Sequence, residues 1–291
     1  MKLAYVFAGQ GRRPSRRQID MVGVTSPQLL HQAAVVAGLS TSDELTARGG
    51  IALDRTSVLQ PVVIAIGVAI ASRLPPPHVV VGHSLGELAA AAAAGLVTGA
   101  EAVRLAGIRG EAMHDACERH RGGLVAIDRS RLDRALEVVP AAYQALDNAP
   151  DEVVLGGDEA SVLELVRRFG GRRLTVAGAF HGPTMTAAAR RFGRALAAVA
   201  TRPLRCPMVT CLDARETIDA TALAHKLVAA MTKPARFREA LQRLHADGVE
   251  HFVVVGPGAT LRRMIRTTLP RSVRVFTTES ESDLALAMEA A

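Results

Sequence analysis

An α/β fold built on a mostly parallel sheet is what this sequence predicts, and three observations predict it. Short runs of aliphatic and β-branched residues alternate with longer runs of helical period along most of the 291 residues. Strands separated by helices imply a mostly parallel sheet covered on both faces. One of these strands, Val79-Val80-Val81, leads through a turn of small residues straight into the alanine-rich run 88–94. Two others stop at glycine turns, Gly9-Gln10-Gly11 and Gly256-Pro257-Gly258, as strands do where they reach the mouth of a sheet.

Composition limits the function classes. Hydrophobic residues make up 49 % of the chain, enough for a globular core, while aromatics are 3 % and Trp is absent, so that core is aliphatic. The net charge of +7 comes with scattered arginines and no aromatic platform on which bases could stack, which argues against nucleic acid. An anionic substrate, an acidic protein partner or simple solubility accounts for the charge equally well. The three cysteines, Cys117, Cys206 and Cys211, form no CxxC pair and suit a reduced, cytoplasmic chain. The longest apolar stretches, 61–71 and 88–97, are too short to span a membrane, and 3–8 is too brief for a signal peptide.

Taken in order, residues 3–8 read as a first buried strand. Residues 12–50 read as polar and irregular apart from a helix over 27–37. A very apolar helix opens at Leu59-Gln60-Pro61 and runs to about 73, with the proline near its first turn, where a missing N–H costs nothing. After the rigid Pro75-Pro76-Pro77 break come the strand at 79–81 and its helix, then an amphipathic helix over 99–118. From Gly122 the texture changes to strand 124–127, helix 131–139, strands 143–146 and 152–155, helix 159–169 and strand 173–177. That β-α-β-β-α-β order is ferredoxin-like and marks a small subdomain at 121–179, inserted in a large domain made of 1–120 and 180–291. The large domain resumes with helix 183–200, strand 207–211, helices 221–231 and 236–247, strand 251–255, a helix from 259, strand 273–276 and helix 283–290.

The chemistry gathers at Gly82-His83-Ser84-Leu85-Gly86. A GxSxG between strand and helix is the nucleophile elbow of α/β-hydrolase-like sheets, a turn so tight that the serine oxygen stands clear above the sheet. Small residues alone are a weak signal; the flanking strand and helix make it specific. A serine hydroxyl needs a base within reach. His83 is its neighbour, but a neighbour on such a turn points away and is read as structural. His181, in Gly178-Ala179-Phe180-His181-Gly182-Pro183, lies at the mouth of the sheet and is the better base. The remaining histidines (His31, His78, His114, His120, His225, His245 and His251) read as solvated. Asp147, Asp151 and Asp158 are the acids in the interval where a hydrolase would carry its third triad member, but all lie in the inserted segment. A Ser–His dyad with its imidazole held by a backbone carbonyl or an amide is therefore the simpler arrangement. An acyl oxyanion needs preorganised donors, for which the Leu85 amide and the Gly9-Gln10-Gly11 loop are placed.

Read together, Phe7-Ala8-Gly9-Gln10-Gly11, Gln60-Pro61, Gly82-His83-Ser84-Leu85-Gly86-Glu87, Arg104-Leu105 leading to Arg109-Gly110, Gly178-Ala179-Phe180-His181 and Gly256-Pro257-Gly258 resemble the malonyl-CoA:acyl carrier protein transacylases and the acyltransferases of polyketide synthases. An ordinary esterase would share only the elbow. The resemblance implies a transferase for fatty acid or polyketide biosynthesis. It would have a Ser84 nucleophile, a His181 base, an oxyanion hole from the amides of Gln10 and Leu85, and malonyl-CoA and an acyl carrier protein as partners. CoA enters as substrate, and no cofactor or metal is implied. Arg109 would pair with the malonyl carboxylate, which suits the planar fork of a guanidinium. Gln60 belongs to the substrate-binding set, and Phe180 would crowd an α-methyl group, a preference worth about 1–3 kcal/mol.

The chain departs from the family pattern in four places. Ala8 stands where proline is usual, Arg12 follows the second loop glycine, Gly182 replaces a serine after the histidine, and Arg236 occupies a position where an amide is often found. The last leaves open what orients His181. These departures and a short segment before Gln60 suggest a specialised member. An acyltransferase for another acyl unit, a hydrolase that clears stalled carrier proteins and a non-catalytic carrier-docking module are the other readings. Arg109 separates the transferase from the hydrolase, and an intact Ser84 and His181 argue against the docking module.

Overall fold

The computed structural model describes residues 2–46, 53 and 55–289. Strand β1 (Lys2–Phe7) is buried almost throughout and leads to helices α1 (Arg16–Thr25), α2 (Pro27–Val36) and α3 (Thr56–Ala71). Strand β2 (Val79–Gly82) turns into α4 (Gly86–Ala93), and α5 (Gly99–Arg119) follows. The second layer system contains β3 (Gly122–Asp128), α6 (Leu132–Val138), β4 (Tyr143–Ala149), β5 (Glu152–Asp158), α7 (Glu159–Phe169) and β6 (Arg172–Arg173). The chain then forms α8 (Thr186–Ala197), β7 (Met208–Val209), β8 (Glu216–Thr217), α9 (Ala220–Ala229) and α10 (Phe237–Ala246). It ends in β9 (Val249–Val255), α11 (Ala259–Thr268), β10 (Arg274–Thr277) and α12 (Glu281–Glu289).

Two sheets result. The first runs β10-β9-β1-β2-β7-β8, parallel except where β8 pairs antiparallel to β7. The second runs β4-β5-β3-β6 and is antiparallel, which is the ferredoxin-like order. The expected α/β class therefore holds. Strand alternation explains how the second sheet is used. Val125 and Ile127 of β3 pack with Ala135, Val162 and Leu165 of its own helices. Leu124 and Ala126 turn the other way and join the main core together with Ala145, Leu146 and Val154. The second sheet is thus buried on both faces and is packed firmly against the large core.

Several elements differ from the sequence expectation. Helix α1 lies inside the stretch read as irregular. Its signal is a capping box: the Gln18 amide N–H bonds Ser15 Oγ at 3.2 Å, and the Ser15 N–H donates to Gln18 Oε1 at 3.0 Å. Helix α3 begins at Thr56, so Pro61 lies inside it rather than at its first turn. The strand expected over 173–177 is only Arg172–Arg173, because Val176 N–H bonds back to Leu174 O at 2.9 Å and curls the chain out of the sheet. The strand expected over 207–211 pairs only at Met208–Val209, since the Cys211 N–H is taken by Glu87 Oε1. The helix expected from 183 opens with a 3-10 turn, Pro183–Met185. Three of the histidines read as solvated are engaged: His251 is buried against Phe276 in the sheet, His78 Nδ1 accepts from the Leu3 N–H at 3.2 Å, and His245 Nδ1 lies 3.3 Å from Val249 O. No helix among the described residues is long and apolar enough to cross a membrane.

Candidate active site

The site begins where β2 meets α4. A Cβ at Gly82 would stand 2.1 Å from Glu87 N, and one at Gly86 would stand 2.2 Å from Phe7 O, so both positions admit only glycine. Forced between them, Ser84 takes φ 53°. A left-handed backbone costs a non-glycine residue about 1–3 kcal/mol, and the surrounding packing must sustain it. The same close approach brings the loop after β1 to the elbow, where His83 N–H donates to Phe7 O at 3.0 Å. The loop that carries Gln10 is therefore held on the elbow by main-chain contacts, a Cβ at Gly9 standing 2.4 Å from His83 O. Among the described residues no partner is found for the backbone N–H of Gln10 or of Leu85, while the next amides, Gly86 and Glu87, bond within the turn.

His181 also has a left-handed backbone, φ 58°. Its ring is buried, with Nε2 at 2.7 Å from Ser84 Oγ and Nδ1 at 3.0 Å from Ala230 O and 3.2 Å from Lys233 O. Carbonyls only accept, so Nδ1 carries the proton and Nε2 presents a lone pair to the serine hydroxyl. This is the tautomer a general base requires. Burial, the Arg109 charge and His83 push the imidazole down to about 4, against a smaller upward pull from the two carbonyls. No acid among the described residues takes part in the contact. Arg236, whose position left the orientation of the histidine open, pairs with Glu239 at the surface instead.

His83 turns away from Ser84, as expected of a turn residue. Its Nε2 meets Asn148 Oδ1 at 2.9 Å, and its ring stands edge-on to Phe237 at 4.9 Å. Of the acids considered, Asp147 is paired with Arg238 and Arg129, away from the histidine.

Arg109 projects from α5 and is 6 % exposed. Its Nη1 donates to Gln60 Oε1 at 2.8 Å, and Gln60 Nε2 donates onward to Gln10 Oε1 at 2.9 Å. Gln60 is thus a buried strut between the guanidinium and the loop after β1. Glu87 supplies the nearest opposite charge. Its carboxyl is raised to about 7 by burial, opposed by the Cys211 N–H at 2.7 Å and by Arg109. Burial pulls Arg109 down to about 10 and Glu87 opposes this, so the guanidinium stays charged at neutral pH.

Ser84, His181 and Arg109 line one cleft, walled on its apolar side by Phe192, Leu227 and Met231. The structure brings Ser84, Leu85, Arg109 and His181 to this cleft, while Gln60 joins it through Arg109 and Gln10 lines a second groove. Phe180 is buried one residue before the histidine and is not among the side chains lining the cleft. The expected backbone carbonyl is found, though sequence reasoning did not say that it is supplied by Ala230 and Lys233, and it missed the contributions of Glu87 and Asn148. Only Glu87 had a signal, as the last residue of the elbow motif. The cluster can take a proton from a serine, stabilise an oxyanion with two amides, and hold an anion a short distance away.

Comparisons with known proteins agree with that chemistry. Residues 26–284 match the family model described as acyl transferase domain. A malonyl CoA-acyl carrier protein transacylase of Synechocystis is 30 % identical over 279 residues, 93 % of this chain and 94 % of that protein. The crystal structure of the Synechocystis malonyl-CoA:ACP transacylase superposes with a TM-score of 0.90 at 29 % identity, covering 98 % of this chain and all (100 %) of that one. A malonyl-transacylase solved in complex with its type II polyketide-synthase acyl-carrier protein superposes equally well, TM-score 0.90 at 25 % identity, with both chains covered completely (100 %). A strained serine facing a carbonyl-held histidine could belong to many hydrolases, but the match over nearly the whole chain leaves one assignment: this chain is a member of the acyl transferase domain family.

Proposed function

We propose that the protein is a malonyl-CoA:acyl carrier protein transacylase, moving malonyl from CoA to the phosphopantetheine thiol of a carrier protein in fatty acid or polyketide synthesis. The observation that carries this reading is a buried, charged Arg109 in the same cleft as the Ser84–His181 pair. A cation held so far from water favours a substrate bearing its own anion. The free carboxylate of malonyl supplies one while its thioester faces the serine.

Ser84 Oγ bonds the thioester carbon as its proton passes to His181 Nε2. The amides of Gln10 and Leu85 stabilise the oxyanion. Collapse breaks the C–S bond, and His181 returns the proton to the CoA sulfur. In the second half-reaction the carrier thiol gives its proton to His181 and attacks the malonyl-serine ester, and Ser84 leaves with that proton. CoA is a substrate, and the steps need only side chains and backbone amides. We read 121–179 as an inserted subdomain of the 1–120 and 180–291 body, a reading supported by its separate cluster around Val125, Val153 and Leu165. We place the reaction in the cytoplasm, to which three free, buried cysteines are suited.

Exposure to a mixture of acyl-CoAs, followed by intact-mass and peptide analysis, tests the reading. Malonyl on Ser84 is expected; an adduct confined to uncharged acyl groups would overturn it.

The acid limb of acylation follows from the histidine. With its pKa lowered to about 4, His181 stays neutral and competent from pH 8 down to about 5.5, and its activity is lost as pH falls through about 4. Single-turnover acylation measured against pH checks this; an acid limb at the ordinary imidazole value near 6.5 would mean the ring is solvated in the working enzyme.

Docking of an acidic carrier protein is expected to use exposed arginines near the loop after β1. Arg12 and Arg13 line a groove with Gln10. Arg16 pairs with Asp20, Arg263 with Glu152, and Arg266 donates to Val273 O. The second-order rate of transfer to the carrier should fall steeply with added salt; a flat response rules out electrostatic docking.

A further inference from the structure

Strand β4 touches the segments that carry the catalytic groups at three points, and nothing in the reaction described above uses them. Its Asn148 holds His83 on the elbow. Its main chain pairs with the segment that carries Lys233: Asp147 N–H donates to Ala235 O at 2.8 Å, and Ala235 N–H donates to Ala145 O at 2.9 Å. Asp147 locks the same junction by a two-pronged contact with Arg238 at 2.9 Å. The third point is the most direct. Tyr143 Oη donates to Ala179 O at 2.7 Å and lies 3.1 Å from Phe180 O, the two carbonyls immediately before His181.

We propose that Tyr143 is a positioning residue for His181, fixing the left-handed backbone that aims Nε2 at Ser84. The inference rests on the acyltransferase reading for its biological meaning, though its geometry stands apart from it. A histidine at φ 58° relaxes to an ordinary backbone unless both sides are held. On the ring side the carbonyls of Ala230 and Lys233 hold Nδ1. On the chain side the hydroxyl of Tyr143 does so, with Thr184 Oγ1 adding a bond to Ala179 O at 3.0 Å. Position 182 is shaped to the same contact. A Cβ there would stand 2.0 Å from Tyr143 Cζ, although the backbone of Gly182 is extended and would accept any residue. The glycine after the base is therefore there for the tyrosine ring. The hydroxyl is buried enough that its proton is held well above the usual phenol range, so it remains a donor at every working pH.

Tyr143→Phe keeps the ring and removes only the donor. Two rates are read from pH 4 to 8: formation of malonyl-Ser84 from malonyl-CoA, and phosphonylation of Ser84 by a fluorophosphonate, in which the Oγ–P bond replaces P–F. Both should fall about 10- to 100-fold at pH 7 with little change in the half-saturating malonyl-CoA concentration. The acid limb should also move up toward the ordinary imidazole range, as a loosened ring gains water and moves away from Arg109 and His83, with Glu87 the remaining charge in the cleft. A merely structural tyrosine would lower the melting temperature and leave the limb where it is. Parent-like rates, or a fall with an unmoved limb, overturn the proposal. If Tyr143→Phe does not fold, Gly182→Ala presses on the same ring with the hydroxyl still present and should give the same two changes. A parent enzyme that is phosphonylated on Ser84 but takes no malonyl would defeat the acyltransferase reading and leave the test of Tyr143 intact.

Discussion

Alanine at position 84 is expected to abolish the malonyl adduct and to lower transfer by about 10⁴-fold or more, the scale seen when a serine–histidine unit loses either member. The physical reason is that, among the described residues, Oγ is the hydroxyl held 2.7 Å from the lone pair of a correctly protonated imidazole. His181→Ala should cost a similar factor, and the double variant should be little worse than either single one, because the two act as a unit. Folding should survive the change at 84, since alanine also leaves the strained turn and removes no core contact. Intact mass after incubation with malonyl-CoA decides it: an adduct that persists on Ser84→Ala would place the nucleophile elsewhere.

Arg109→Ala is expected to lower malonyl transfer about 10- to 100-fold while leaving acetyl transfer near the parent level. A charge-assisted hydrogen bond to a buried carboxylate is worth about 1.5–3 kcal/mol, which sets that range. Two competing effects could blur the result. Removing the cation leaves Gln60 Oε1 without its donor and Glu87 without its compensating charge. The glutamate is already raised to about 7, so without Arg109 it takes up a proton instead of remaining as an uncompensated buried anion. Most of the loss should therefore appear in the carboxylate-bearing substrate. Arg109→Lys should fall between parent and alanine, keeping the charge but losing the fork that meets both Gln60 and substrate. Comparing kcat/KM for malonyl-CoA and acetyl-CoA is the measurement. Equal loss for the two would remove Arg109 from the substrate site.

The nucleophile was legible because everything that makes it one is local. Val79 to Gly86 contains the strand, both close-approach glycines and the start of the helix within a few residues. The β-α-β-β-α-β order of elements after Gly122 likewise announced a second sheet, and the capping box at Ser15 marks α1 in the sequence. The strands expected over 173–177 and 207–211 stop short because a competing hydrogen bond, which propensity does not register, takes a backbone N–H in each.

By itself, then, the sequence determined the α/β class, most of the order of the elements and the serine turn, because each of these depends on residue type at short spacing; His181 followed from its place at the mouth of the sheet, and Arg109 and Gln60 from the family resemblance. Only the tertiary structure decided how those residues are held. His181 is oriented by two backbone carbonyls, and every residue carries the same carbonyl, so no letter in the chain could mark them. Gln60 braces Arg109, and Tyr143 secures the loop of the base, through contacts that join separate elements of the fold. Such partners are chosen by packing across long separations, where sequence spacing carries no information.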